Sequence, residues 1–141
     1  MQTNRFYELI EHTADIGIRV GGRNLKELYR NAAAAMFDII AQKINSAGSR
    51  KEKVNITLKA NNTEELLVKW LNELLSLSAT KGLIFTGFRI NKLKENSLEA
   101  SVFGGKVKNF RIKTEIKAAT YHELRITKAK EGQRAEVIFD V

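Results

Sequence analysis

The sequence contains no cysteine. Disulfide frameworks, thiolate metal sites and cysteine nucleophiles are excluded together, and the composition suits a reducing, cytoplasmic compartment. Proline is absent as well, so no proline-rich linker divides the chain, and residues 1–141 read as a single domain. No apolar run approaches the roughly 18 residues that a membrane-spanning helix needs. The opening residues MQTNRFYELIEHTAD lack the basic-then-apolar order of a secretory leader. No block of five or more like charges marks a nucleic-acid-binding arm, and there are only two histidines, His12 and His122.

What is present is an ordinary globular balance. Hydrophobic residues make up 43% and charged residues 28%, which excludes the low-hydrophobicity, high-charge regime of intrinsic disorder. Twenty-four lysines and arginines stand against sixteen acidic residues, a net charge of +8. A basic surface favours acidic partners such as RNA, DNA or an acidic protein face, without choosing among them.

Two segments have helical periodicity. Leu25, Leu28, Ala32, Met36 and Ile40 recur at three and four residues and predict a helix from Leu25 to Ala41. Leu66, Leu67, Trp70, Leu71, Leu74 and Leu75 predict a second from Thr63 to Ala79. Asn24 with Glu27, and Asn62 with Glu65, supply a variant of the capping box at each start. Elsewhere the pattern alternates. Ile16, Ile18 and Val20 predict a strand ending in a Gly21-Gly22 turn, and Val54, Ile56 and Leu58 predict another. Phe88–Leu93 and Leu98–Phe103 flank a hairpin turn, and three more strands are expected around Ile112, Leu124–Ile126 and Val137–Phe139. The stretch from Gln42 to Lys53 reads as a surface loop. The expected fold class is therefore α+β, with mostly antiparallel sheet that the two helices cover on one side.

Several motifs fail on inspection. Lys81–Phe88 partly resembles an aromatic RNA-binding signature, but Leu83 stands where a base-stacking aromatic belongs, so a buried strand is expected there. Gly104-Gly105-Lys106 lacks the rest of a phosphate-binding loop and reads as a turn. His12 and His122 do not form a helical metal motif, and no serine sits in a nucleophile elbow.

Two acidic positions stand out. Asp15 follows His12-Thr13-Ala14 immediately before a strand, and Asp140 sits in the apolar run Val137-Ile138-Phe139-Asp140-Val141. Alternation puts Asp140 on one face with Ile138, and Val137, Phe139 and Val141 on the other. A free carboxylate at Val141 would add an anion beside Asp140. Clustered carboxylates need a compensating cation, and hard oxygen donors suit calcium, magnesium or manganese. Simple solvation accounts for both as well: Asp15 can end a strand and Asp140 can lie on a frayed end.

Four segments, in order, resemble the archease family: Tyr7–Ile18, Glu64–Leu75, Ile116–His122 and Val137–Val141. They bracket the whole chain. The resemblance implies an α+β archease-like fold and a small cytoplasmic activator of the tRNA-splicing ligase RtcB. That ligase joins RNA ends bearing a 2′,3′-cyclic or 3′-phosphate to a 5′-hydroxyl through a guanylylated histidine of its own. The activator would promote guanylylation and repeated turnover without catalysing ligation. The family's metal site maps by resemblance onto Asp15, Asp140 and Val141, with calcium the first expectation and magnesium or manganese alternatives. His12, Lys117 and His122 fall in the matching motifs with less defined roles. Where the family often has Gly-Glu and later a histidine, this chain has Gly104-Gly105 and then Phe110, which leaves a larger ligand set in question.

The leading expectation is that folding carries Asp15 and the C-terminal strand into one acidic, cation-holding patch. The alternative is a basic RNA-binding module that presents tRNA to a processing enzyme, through Arg89, Lys106, Lys108 and Arg111 near aromatic residues. Any RNA contact of the activator itself would be weak or indirect. A stand-alone metal-dependent hydrolase is the third reading and lacks a recognisable nucleophile.

Overall fold

A computed structural model describes residues 6–11, 15–44 and 51–141. In chain order the elements are β1 (Tyr7–Glu11), β2 (Asp15–Gly22), α1 (Leu25–Ile40), β3 (Ala41–Lys43), β4 (Glu52–Lys59), α2 (Thr63–Lys81), β5 (Leu83–Lys94) and β6 (Ser97–Lys106). A short 3-10 turn, Val107–Asn109, leads to β7 (Phe110–Ile112), β8 (Ala118–Ala119), β9 (Arg125–Ala129) and β10 (Gly132–Asp140).

Both helices begin where the asparagines predict. Asn24 accepts from the Glu27 amide at 2.9 Å and Asn62 from the Glu65 amide at 2.8 Å. The glutamates reach back one residue beyond the cap, accepting from the amides of Arg23 and Asn61, each at 2.8 Å. Orphan donors of the first turn and its approach are thereby satisfied. Arg23 also pairs with Glu27, and this hydrogen bond, ahead of the Coulomb attraction, holds the Glu27 carboxyl below its ordinary pKa. α2 ends in a left-handed Gly82, whose amide donates to Ser78.

All described strand pairs are antiparallel and form three sheets. β1-β2-β10-β8, with β9 also on β10, make the largest; β4-β6-β5 make the second; β3-β7 is a two-stranded ribbon. α1 meets β2 of the first sheet and β5 of the second, and nine of its sixteen residues are buried, from Leu28 and Tyr29 to Ile39 and Ile40, while Lys26, Arg30 and Asp38 keep one edge in solvent. It is wedged between two sheets. This corrects the expectation of helices covering one sheet on one side: an alanine-rich helix (Ala32, Ala33 and Ala35 all fully buried) is slim enough to be enclosed. Trp70 of α2 is fully buried and donates its indole N–H to the Tyr29 carbonyl at 3.0 Å, tying the helices together. Tyr29 in turn donates to the carbonyl of Thr63, and burial pushes its phenol well above the ordinary tyrosine value.

Two expected turns are strand instead. Gly21-Gly22 completes β2 and Gly104-Gly105-Lys106 completes β6. The glycines are there for close approach: a Cβ on Gly22 would meet the α1 backbone at Glu27 and Leu28, and one on Gly104 would press on Ile84 backbone and the Phe85 ring. The Gln42–Lys53 loop is also narrower than expected. Gln42 and Lys43 belong to β3, Glu52 and Lys53 to β4, and 45–50 lie outside the described residues. β1 and β8 carried no alternation long enough to read.

Candidate functional site

β2 and β10 lie side by side and the register decides the site. Ile18 and Val20 of β2, and Ala135, Val137 and Phe139 of β10, are buried in the core. Their neighbours therefore point to the outer face, where Asp140 stands directly opposite Asp15. Directly opposed residues in an antiparallel pair hold their Cβ atoms roughly 5 Å apart. Asp140 is exposed and Asp15 half-buried. Among the described residues neither carboxylate has a hydrogen-bond or ion-pair partner. The register thus brings together the two positions that the sequence singled out.

Three further observations explain how the pair is held. Asp140 is flanked on its other side by β8, where Ala118 pairs with it and the Lys117 amide donates to its carbonyl at 2.8 Å. That short strand is gripped by α2. Asn72 donates to the Ala119 carbonyl at 3.1 Å and accepts the Ala119 amide at 2.8 Å. Glu64, in the first turn of α2, accepts the Ile126 amide at 3.3 Å. Thr120 adds a backbone and a hydroxyl donation to the Ile138 carbonyl, at 3.0 and 2.9 Å. In the sequence Asn72 stands out only as part of a helix motif, and Glu64 only as that and as an acidic residue suited to the positive end of the helix. Their polar side chains on a helix with a broad apolar face were the available signal.

Next to the acidic pair, Ile138 is buried on the outer face because it lies across the side-chain space of Gly17. Beyond it runs a charged row, Glu8, Arg19, Glu136 and Arg125. Arg19 donates to Glu8 at 2.6 Å and to Glu136 at 2.9 Å, and those bonds, Glu136 first, raise its pKa. An open groove of about 530 Å³ follows, lined by Arg19, Arg125, Thr127, Arg134 and Glu136 among others.

The remaining expected residues separate from the pair or fall outside the description. His12 lies outside the described residues. His122 sits in an exposed turn, with Nε2 3.4 Å from Glu123. Lys117 reaches the site through its backbone. Val141 follows Asp140 directly and is 36% exposed. Gly105 and Phe110 face each other, a Cβ on Gly105 meeting the Phe110 ring at 3.5 Å, and they belong to β6 and β7 rather than to the sheet of the two aspartates. Among the described residues no group of three or more histidine, aspartate or glutamate side chains stands ready to hold a metal ion, and no helix is long and apolar enough to cross a membrane.

Fold and register together define a small α+β protein with an open, two-carboxylate patch at the end of its largest sheet. The Archease protein family (MTH1598/TM1083) matches residues 7–141. Protein archease of Methanosarcina barkeri is 38% identical, the match covering 96% of this chain and 95% of that protein. The solution structure of Methanobacterium thermoautotrophicum protein 1598 is similar with a TM-score of 0.73, at 27% identity and covering 97% of this chain and 99% of that one. The crystal structure of an archease, described as a possible chaperone, from Thermotoga maritima gives 0.67 at 26% identity, covering 95% and 96%. The chain belongs to the archease family.

Proposed function

We propose that this protein activates the tRNA-splicing ligase RtcB, promoting guanylylation of the ligase and its repeated turnover, and performs no ligation of its own. The observation that carries the reading is the direct opposition of Asp15 and Asp140 on an exposed sheet face. Family membership supports it.

The donor set fits a hard divalent cation. Two carboxylates share a face at close quarters, with no ion-pair partner among the described residues, an arrangement that costs energy unless a cation compensates it. Asp15 and Asp140 would hold the ion, with an oxygen of Val141 adjacent; calcium is the first choice, magnesium and manganese the alternatives. Such an ion, when bound, supplies positive charge against phosphate oxygens. The chain's own part is positional. β2 and β10 fix the spacing of the carboxylates, and α2, through Asn72 and β8, keeps the C-terminal strand from fraying. The open face lets the patch approach a partner's nucleotide site in the cytoplasm.

The test is multiple-turnover RNA ligation by the ligase under GTP, with and without this protein. Wild type should raise turnover, while Asp15→Asn and Asp140→Asn should abolish the stimulation and melt as folded proteins. Normal stimulation by both variants would remove the carboxylate patch from the mechanism. Absence of any stimulation by wild type would remove the activator role.

A further inference from the structure

Among the described residues no helix covers the outer face of the second sheet, and the register gives its rows. Four rows cross β4, β6 and β5 in turn: Lys53–Phe103–Gly87, Asn55–Ser101–Arg89, Thr57–Glu99–Lys92 and Lys59–Ser97–Lys94. The opposite face holds Ile56, Leu98, Ala100 and Val102 in the core. On the outer side, five cationic side chains (Lys53, Lys59, Arg89, Lys92, Lys94) face solvent against one carboxylate, Glu99. Among the described residues none of the five has a side-chain ion pair.

The centre of this face is built for more than charge. Phe103 is half-buried across the side-chain space of Gly87, so its ring lies over the sheet, and the Arg89 guanidinium carbon sits 5.4 Å from the ring centroid. Beside it the buried Ser101 hydroxyl donates to Asn55 Oδ1 at 3.0 Å and accepts from Asn91 Nδ2 at 3.3 Å. That arrangement leaves the Asn55 amide nitrogen as a donor and the Asn91 amide oxygen as an acceptor. Both edge strands thus offer hydrogen-bonding groups on either side of an aromatic and a guanidinium plane.

We infer that this face binds a short single-stranded polynucleotide. Lysines on the rim suit phosphates, the Phe103–Arg89 stack suits an unstacked base, and the amides suit base edges. A three-stranded sheet whose four rows span about 20 Å along the strands accommodates roughly two or three nucleotides. The surface involves neither Asp15 nor Asp140, and it is separate from the activator reading.

The experiment is fluorescence anisotropy with a labelled ten-nucleotide RNA of uridine and adenosine, and the DNA equivalent, between 50 and 200 mM salt, with no ligase present. Affinity should fall with a slope of log K on log salt near −2, because about three phosphates are neutralised and each on a single strand contributes about −0.7. Lys53→Gln with Lys59→Gln, both on the rim, should reduce that slope by about 1.4. Phe103→Leu keeps the cover over Gly87 and should weaken binding roughly fivefold to a hundredfold with the slope unchanged. The control Arg125→Gln with Arg134→Gln, on the other sheet, should bind as wild type. DNA binding as tightly as RNA supports a backbone-and-stacking site, and preference for RNA supports one that also contacts the 2′-hydroxyl. The inference is overturned by no binding at 50 mM salt, by Phe103→Leu equal to wild type, by equal losses in the control, or by equal binding of an oligoglutamate peptide. Because ligase stimulation is absent from this assay, its failure leaves the activator reading standing, and the reverse also holds.

Discussion

Asp140→Asn should make the chelated protein more stable, an unusual direction for a change inside a family motif. Asp140 and Asp15 are directly opposed on one face and lack a basic partner among the described residues. With Cβ atoms about 5 Å apart the carboxylates sit near 6 Å, and at the dielectric of water their repulsion is about 0.7 kcal/mol at low salt. Unfolding entropy for a chain of this size is about 0.3 kcal/mol per degree, so removing one charge should raise Tm by ~2 °C. A divalent cation at a hundred times its Kd stabilises wild type by about 2.7 kcal/mol, or ~9 °C, and should help the variant much less. The order of stability therefore inverts between chelator and calcium. Thermal melts by circular dichroism in low salt, with EDTA or with calcium, read this directly. If Asp140→Asn melts below wild type in EDTA, the carboxylates do not repel one another as the register requires. If calcium raises both proteins equally, the ion binds elsewhere.

Three other outcomes are expected. Asn72→Ala removes both hydrogen bonds to Ala119, so it should cost about 2 kcal/mol, speed amide exchange at Ala119 and weaken calcium affinity measured by titration calorimetry; unchanged exchange would show that α2 does not position β8. Gly22→Ala drives a methyl into the first turn of α1 and should lower denaturant stability by at least about 2 kcal/mol, whereas an unchanged midpoint would contradict that packing. Glu27→Gln should lower Tm at neutral pH, because Arg23 holds the folded carboxyl below its ordinary value of 4.5. The stabilisation of a depressed carboxyl is present above 4.5 and lost as pH falls through the folded value, so wild type and variant should converge in acid. Parallel melting curves across that range would reject the pairing.

Much of the local structure was legible. Helix starts at Leu25 and Thr63 follow from asparagine caps and three-to-four spacing, which depend on residues within one turn. The β5–β6 hairpin follows from two alternating runs, and the buried strand expected within Lys81–Phe88 is the start of β5, from Leu83. Gly22 and Gly104 were misread as turns because a glycine needed for close approach looks, in one dimension, like a glycine needed for a bend. β8 has two residues and no period to detect; it exists because Asn72 supplies hydrogen bonds from a distant helix. The side chain of His122, in the late motif, lies beside Glu123 in an exposed turn, a placement that motif membership alone does not specify.

Alternation along the last strand assigned Asp140 a face, composition set the basic charge and the absence of thiol chemistry, and three-to-four spacing set the amphipathic helices. Those properties are carried by single residues or by neighbours in sequence. The pairing of Asp140 with Asp15, and of Lys53 with Phe103, is set by antiparallel register between strands that the chain connects only through helices and other strands. Register is chosen by the burial of the opposite face, because a slip of one residue would send Phe139 and Ile18 into water and the aspartates into the core. Packing around α1 therefore decided where the charges meet.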